Sequence, residues 1–321
     1  MTQARPVASL PIELAPPDIS PWRQGNRGVE FVHVLDSGRP GPNVMVQALT
    51  HGNELCGALA LVHLFEQGVA PVRGTLTLVF ANVEAYARFD PADPHPSRFA
   101  DEDLNRVWAD AVLFGSRDSS ELRRARALQP FVDAADLLLD MHSMSEPCRP
   151  LMVCGRVDKN ARYAVELGVP ADLLLDTGQA AGLRMIERGG FGDPAGPKRA
   201  LLIECGQHWE RAAPKVARQA SLRFLRHFGM ADSAFLDAHL DAPPLPKQRA
   251  IEITHVVTIA TDAFRFARPV EGLDVISKAD TLLAKDGDGE VRTPYENSVL
   301  VMPARRPKKG ETAVRIGRYV N

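Results

Sequence analysis

Apolar runs of strand length alternate with longer amphipathic segments over the first two thirds of the chain. Residues 43–49 are apolar and partly β-branched, as in a buried strand, and residues 55–65 form an apolar helix whose weak point is Gly57. Residues 75–80 return to a strand pattern, so this stretch predicts a parallel strand pair joined by a right-handed crossover. A further strand over 31–35 precedes a Gly/Pro turn at 36–42. Residues 119–134 read as a helix with Leu122, Ala125, Leu128 and Val132 on one face and Pro130 as a bend. Strands follow at 136–142, 151–154 and 199–206, with helices at 158–168 and 212–228. The second of these helices has Pro214 in its first turn. Residues 1–30 look like a Pro-rich lead-in arm, and Pro243, Pro244 and Pro246 mark 230–250 as a linker. Beyond it the pattern changes to short β-prone runs at 251–260, 264–267, 282–284 and 299–302. The expected architecture is an α/β domain over residues 1–245 and a small all-β domain over 246–321.

Composition narrows the function classes. With 321 residues, 45% hydrophobic and 24% charged, the chain has the make-up of an ordinary globular protein with a sizeable core. A net charge of −2 argues against electrostatic binding of nucleic acid or anionic membrane. No leader pattern and no membrane-length apolar run is visible, which makes the cytoplasm the expected location. Cys56, Cys148, Cys154 and Cys205 form no CxxC pair and read as reduced thiols.

The chemistry collects at strand ends. His51 and Glu54 follow the strand at 43–49 and open the next helix. In open α/β sheets ligands bind at that edge. An imidazole and a carboxylate three residues apart can ligate one metal, and a catalytic zinc needs one further ligand while leaving a position for water. Taken alone, the pair reads equally as a loop histidine beside a helix-initiating glutamate. His142 and Glu204 end two more apolar strands, which raises the metal reading. The long connection over 82–106 carries Pro91, Pro94 and Pro96, and such connections are often functional.

Four motifs resemble those of the aspartoacylase/succinylglutamate desuccinylase family, zinc hydrolases related to the zinc carboxypeptidases. They are His51-Gly52-Asn53-Glu54, Asp103-Leu104-Asn105-Arg106, Asp140-Met141-His142 and Ile203-Glu204-Cys205-Gly206. The resemblance implies a carboxypeptidase-like mixed sheet flanked by helices, one Zn2+ per chain and release of an acyl group from an N-acyl amino acid. It implies that His51, Glu54 and His142 are the metal ligands and that Glu204 is the general base. It further implies that Arg98 polarises the scissile carbonyl, that Asn105 and Arg106 clamp a free carboxylate, and that Asp103 orients a metal-bound histidine. Planar Arg suits a carboxylate and a fixed cation suits an oxyanion. Tyr295 could reach the substrate from the second domain, and His208 reads as supporting or structural. Lys198 and Arg199 lie near the place where relatives carry a basic residue for a second acidic group, without a clear alignment. The expected partner is a small molecule with a free carboxylate, and a homo-oligomer is compatible. Two alternatives stand beside this reading: a carboxypeptidase acting on short peptides, and a non-catalytic zinc-binding module of the same fold.

Overall fold

The protein's structure, a computed structural model, describes residues 10–176, 181–241 and 244–320. The strands are β1 (Val32–Asp36), β2 (Asn43–Ala48), β3 (Thr75–Phe80), β4 (Leu137–Met144), β5 (Leu151–Gly155), β6 (Asp172–Leu175), β7 (Arg199–Gln207) and β8 (Arg249–Thr258), then β9 (Arg265–Phe266), β10 (Val275–Ile276), β11 (Leu282–Asp286), β12 (Gly289–Arg292), β13 (Ser298–Val301) and β14 (Thr312–Val320). The helices are α1 (Leu55–Glu66), α2 (Val83–Tyr86), α3 (Asp110–Leu113), α4 (Ser120–Ala134), α5 (Asp158–Leu167), α6 (Ala213–His227) and α7 (Ser233–His239).

Period-2 alternation along the central strands gives the sheet two apolar faces. Val44, Val46 and Ala48 of β2, Leu139 and Met141 of β4, and Leu201 and Ile203 of β7 join one core with residues of α1, α5, α6 and α7. Met45, Leu138, Ala200 and Leu202 point the other way, into a core with Leu122, Ala125, Leu128 and Val132 of α4. Those four α4 residues are the face predicted from spacing. Gly57 explains the weak point of α1: a Cβ there would stand 2.8 Å from the Ala48 Cβ and 3.0 Å from the Met141 Cβ. The missing side chain lets the helix lie close on β2 and β4.

One mixed sheet of 11 strands runs β1-β3-β2-β4-β7-β5-β6-β8-β14-β13-β10. The β2–β3, β2–β4 and β4–β7 pairs are parallel, which brings the carboxyl ends of β2, β4 and β7 to one edge. β5 runs antiparallel to β7, and β6 continues the sheet into the carboxyl-terminal strands through a parallel pair with β8. β9, β11 and β12 form a separate three-stranded sheet.

Several elements depart from the sequence expectation. The expected linker over 230–250 contains α7, capped by Asp232 through the Ala234 N–H at 2.8 Å, and β8 already begins at Arg249. Seven residues are too few to display a helical period. β6, β10, β12 and β14 were not anticipated. Three of them are four residues or shorter, and β14 hides its pattern behind the buried Arg315. The lead-in arm holds a 3-10 turn at Ser20–Trp22, while its residues 1–9, and Pro243 of the linker, lie outside the described residues. Among the described residues the four cysteines are free, and no helix is long and apolar enough to cross a membrane.

Candidate active site

The turn after β2 is built for close approach. Leu49 adopts φ +59°, a conformation that costs an L-residue about 1 kcal/mol and concentrates at functional sites. A Cβ on Gly52 would meet the Tyr86 backbone nitrogen at 2.4 Å, so only glycine passes there. Trp209 Nε1 donates to the Asn53 carbonyl at 3.2 Å and ties this turn to the exit of β7.

His51, Glu54 and His142 converge, all essentially sealed from solvent, with one ligand atom of each within 4.8 Å of the others. His51 Nδ1 lies 2.7 Å from Glu54 Oε1, and His142 Nδ1 lies 2.9 Å from Glu54 Oε2. On the far side of each ring, His51 Nε2 stands 3.0 Å from Asp103 Oδ1 and His142 Nε2 stands 2.8 Å from Asp140 Oδ2. Asp140 is itself held by the Thr50 hydroxyl, which donates to Oδ1 at 2.8 Å.

This arrangement tests the fit of a metal. A neutral imidazole has one N–H, and an ionised carboxylate only accepts. If each Nε2–H donates to its aspartate, both Nδ1 lone pairs face the Glu54 carboxylate. Lone pair against lone pair is repulsive without a cation between them. Two imidazole nitrogens and a carboxylate, each imidazole anchored by a further carboxylate, fit a metal ion and match the ligand types that catalytic zinc uses. With protons in place of a metal, the same field acts on the side chains. Burial lowers His142, but Asp140 and Glu54 overcome this and hold it well above the usual histidine value. Burial raises Glu54, and His51 and His142 overcome that to hold it well below the usual carboxylate range.

Glu204 pairs in register with His142 across β4 and β7. The residue as a whole is half-buried, yet its Oε2 is enclosed and has no hydrogen-bond partner. Burial pushes its pKa up to about 8, with the Glu54 charge adding to the rise and His142 opposing it. His208 is buried, with Nδ1 2.9 Å from the Ser143 hydroxyl, and burial takes it down to about 3.

The arginines come from the connection after β3. Arg98 Nη1 stands 3.5 Å from Glu54 Oε1, and its Nη2 lies 3.1 Å from His51 Nε2 and 3.4 Å from Asp103 Oδ2. Asn105 is buried, its Oδ1 accepting the Met185 N–H at 3.1 Å. Arg106 donates from Nη1 to the Asn105 carbonyl at 2.7 Å and holds Nη2 3.9 Å from Asp103 Oδ2. Tyr295 packs within the carboxyl-terminal strands. Its ring packs against the apolar cluster of Ile276, Leu283, Leu300, Val314 and Ile316, and its hydroxyl bonds the Thr254 hydroxyl.

Three residues here escaped sequence reasoning. Glu121 of α4 is fully buried, and its Oε2 accepts the N–H groups of Asp101 and Glu102 at 3.0 and 3.1 Å. It thereby fixes the connection that carries Arg98 and Arg106. Arg184 is buried in a two-pronged pair with Asp176, at 2.8 and 2.7 Å, and also donates to Glu187 at 3.0 Å. Arg315 of β14 is buried too; burial lowers its pKa, and its charge interacts with Asp176, Arg106, Arg184 and Glu204. A cation within the apolar run Ala313–Ile316 was the one available signal.

The family model of the succinylglutamate desuccinylase/aspartoacylase catalytic domain matches residues 40–228. A search of curated proteins finds no significant match. Among solved structures, a succinylglutamate desuccinylase from Vibrio cholerae is similar with TM-score 0.67 at 17% identity, over 91% of this chain and 86% of that one. The product-bound ectoine utilization protein EutE (DoeB) from Ruegeria pomeroyi gives 0.63 at 16% identity, over 90% and 89%. A succinylglutamate desuccinylase/aspartoacylase from Rhodobacter sphaeroides gives 0.62 at 15% identity, over 91% and 90%. At these identities the structural likeness speaks for the fold.

Proposed function

Since the chain belongs to the succinylglutamate desuccinylase/aspartoacylase family, whose members are deacylases, we propose that it is a zinc-dependent amidohydrolase releasing the acyl group of a small N-acyl amino acid. The observation that carries this reading is the meeting of His51 Nδ1, His142 Nδ1 and the Glu54 carboxylate next to the unpartnered Oε2 of Glu204. His51, Glu54 and His142 would hold the metal, with Asp103 and Asp140 fixing the two rings. When bound, a zinc ion supplies Lewis acidity and makes water a nucleophile near neutral pH.

The remaining work falls to the chain. Glu204 takes a proton from the attacking water and delivers it to the departing nitrogen as the carbon–nitrogen bond breaks, leaving a carboxylic acid and an amine. Its enclosed position keeps its pKa high enough for both transfers. Arg98 holds a positive charge where the carbonyl oxygen becomes anionic. Arg106, steadied by Asn105, pairs with the free carboxylate of the amino acid.

The region from residue 246 onward is proposed to narrow the mouth. Arg305 Nη1 lies 3.3 Å from Glu146 Oε2, and the Gly272 N–H donates to the Pro147 carbonyl at 3.2 Å. Both contacts cover the segment leaving β4. No substrate contact is assigned to Tyr295, whose hydroxyl is engaged by Thr254.

Amine release from N-acyl amino acids, their α-amides, dipeptides and tetrapeptides, measured with zinc-loaded protein, tests the reading. N-acyl amino acids should be cleaved, their α-amides poorly, and tetrapeptides not at all. Preferred cleavage of peptides would replace it with the carboxypeptidase reading, and bound zinc without any hydrolysis with the non-catalytic one.

A further inference from the structure

A cavity of about 410 Å³ lies away from the catalytic groups, walled by Arg156, Lys159, Arg162 and Arg199, with Asp158 the one acidic side chain in its wall. Arg156 follows β5, Asp158 opens α5, and Arg199 opens β7. Arg199 pairs with Leu137 at the start of β4, whereas Glu204 pairs with His142 near its end. The cavity therefore sits toward the opposite edge of the sheet, roughly 16 Å along β7 at about 3.3 Å per residue.

Cations in a folded protein are ordinarily matched by carboxylates, but here most anchors are neutral. Lys159 Nζ donates to the carbonyls of Gly190 and Gly196 at 2.8 and 3.3 Å. Arg199 Nη1 donates to those of Gly196 and Pro197 at 3.0 and 2.6 Å. Carbonyls fix the charged heads without cancelling their charge. Arg162 is exposed and, among the described residues, makes no ion pair; Arg156 alone has a carboxylate, Glu187 Oε1 at 3.2 Å. Asp193 also acts on Lys159, but its Oδ1 is engaged by the Ala195 N–H. Burial, and then the charge of Arg199, hold the Lys159 ammonium below its usual value against the opposing charge of Asp193. Four cations around one concavity, two of them held by backbone carbonyls, form a host for negative charge.

We propose that this cavity is a second ligand site, taking a small soluble polyanion with two or more negative charges, phosphorylated or polycarboxylate. Arg156 connects it to the substrate end. Its partner Glu187 also accepts from Arg184 at 3.0 Å, and the charges of Arg184 and Glu187 bear on Arg106. An anion that draws Arg156 inward weakens the Arg156–Glu187 pair and alters the field at Arg106, a coupling between two sites. This coupling rests on the reading of Arg106 as the carboxylate clamp; the binding does not.

Calorimetric titration of the metal-loaded full chain with pyrophosphate and with tricarballylate, at constant ionic strength, tests the proposal. Either should bind saturably, and the one that binds more tightly identifies the class. Arg162→Glu and Arg156→Gln should each weaken binding by about tenfold or more, the loss of one charge-assisted contact. Arg106→Ala should leave it unchanged. No saturable binding by either anion overturns the site. So does binding that survives both cavity variants and disappears in Arg106→Ala, because the anion is then in the reaction site. The bound anion should shift KM for the N-acyl substrate at least twofold with kcat unchanged, and do so in the parent but not in Arg162→Glu. An unmoved KM overturns the coupling.

Discussion

The metal end and the arginine end of the candidate active site are built on different principles. His51, Glu54 and His142 sit at strand ends and in the turn that leaves β2, and no more than 3% of any of them is exposed. The arginines sit in two 3-10 turns of a connection, Pro96–Arg98 and Leu104–Arg106, and the Arg98 side chain is 36% exposed. Donor geometry for a metal must hold to fractions of an ångström, and the sheet supplies that rigidity. On the proposed reading, recognition of the substrate would fall to a connection that can change without disturbing the strands. Substitutions of the metal ligands and of Arg106 should then, on the same reading, separate reactivity from substrate binding.

The largest effect is expected at the metal end. Purified protein should hold about one zinc per chain. His51→Ala, Glu54→Ala and His142→Ala should each remove most of it by elemental analysis, while Arg106→Ala retains it. Full zinc content in any two of the ligand variants would dissolve the distinction.

Next comes Glu204→Gln, which should keep zinc and lower turnover by roughly 10²–10⁴-fold. A base must be ionised to act. Glu204 lies at about 8 in the protein without metal, and a neighbouring cation lowers that value. Activity should therefore fall as pH drops through a value below 8. An acid limb that persists in Glu204→Gln would assign it to another group.

At the arginine end the expected signature is binding rather than turnover. Arg106→Lys should raise KM by about tenfold with kcat nearly unchanged, since an ammonium cannot form both bonds to a carboxylate. A fall in kcat at constant KM would move Arg106 to the reacting centre. The smallest effect belongs to Glu121→Gln. Its amide group would face backbone N–H groups that now donate to an oxygen, costing about 1–3 kcal/mol. This should read as a lowered Tm and a modest loss of kcat/KM; an unchanged melting curve would show that the connection is held otherwise.

The same contrast explains what was legible in the sequence. Strand ends could be read because β2, β4 and β7 are apolar runs closed by a histidine or a glutamate, which parallel pairing brings to one edge. The parallel pairing of β2 and β3 followed from the helix between them. Supporting groups were not legible because their roles depend on distant partners. Glu121 reads as a dipole-favouring residue in the first turn of α4, and only the folded chain brings residues 100–102 to it. Arg315 interrupts the apolar run of β14, which concealed the strand. α7 and β6 were too short to carry a period.

Glu121 has a consequence for motion. The connection and α4 grip each other: Glu121 takes the N–H groups of residues 100–102, while Asp101 Oδ2 accepts the Ser120 N–H at 2.7 Å at the start of the helix. These four bonds tie the two segments together from both sides. The amides of residues 100–102, though outside any helix or strand, should exchange with solvent deuterium on the clock of the helix rather than of a loop. Selectivity would then rest on a segment irregular in shape yet as slow to open as the secondary structure beside it.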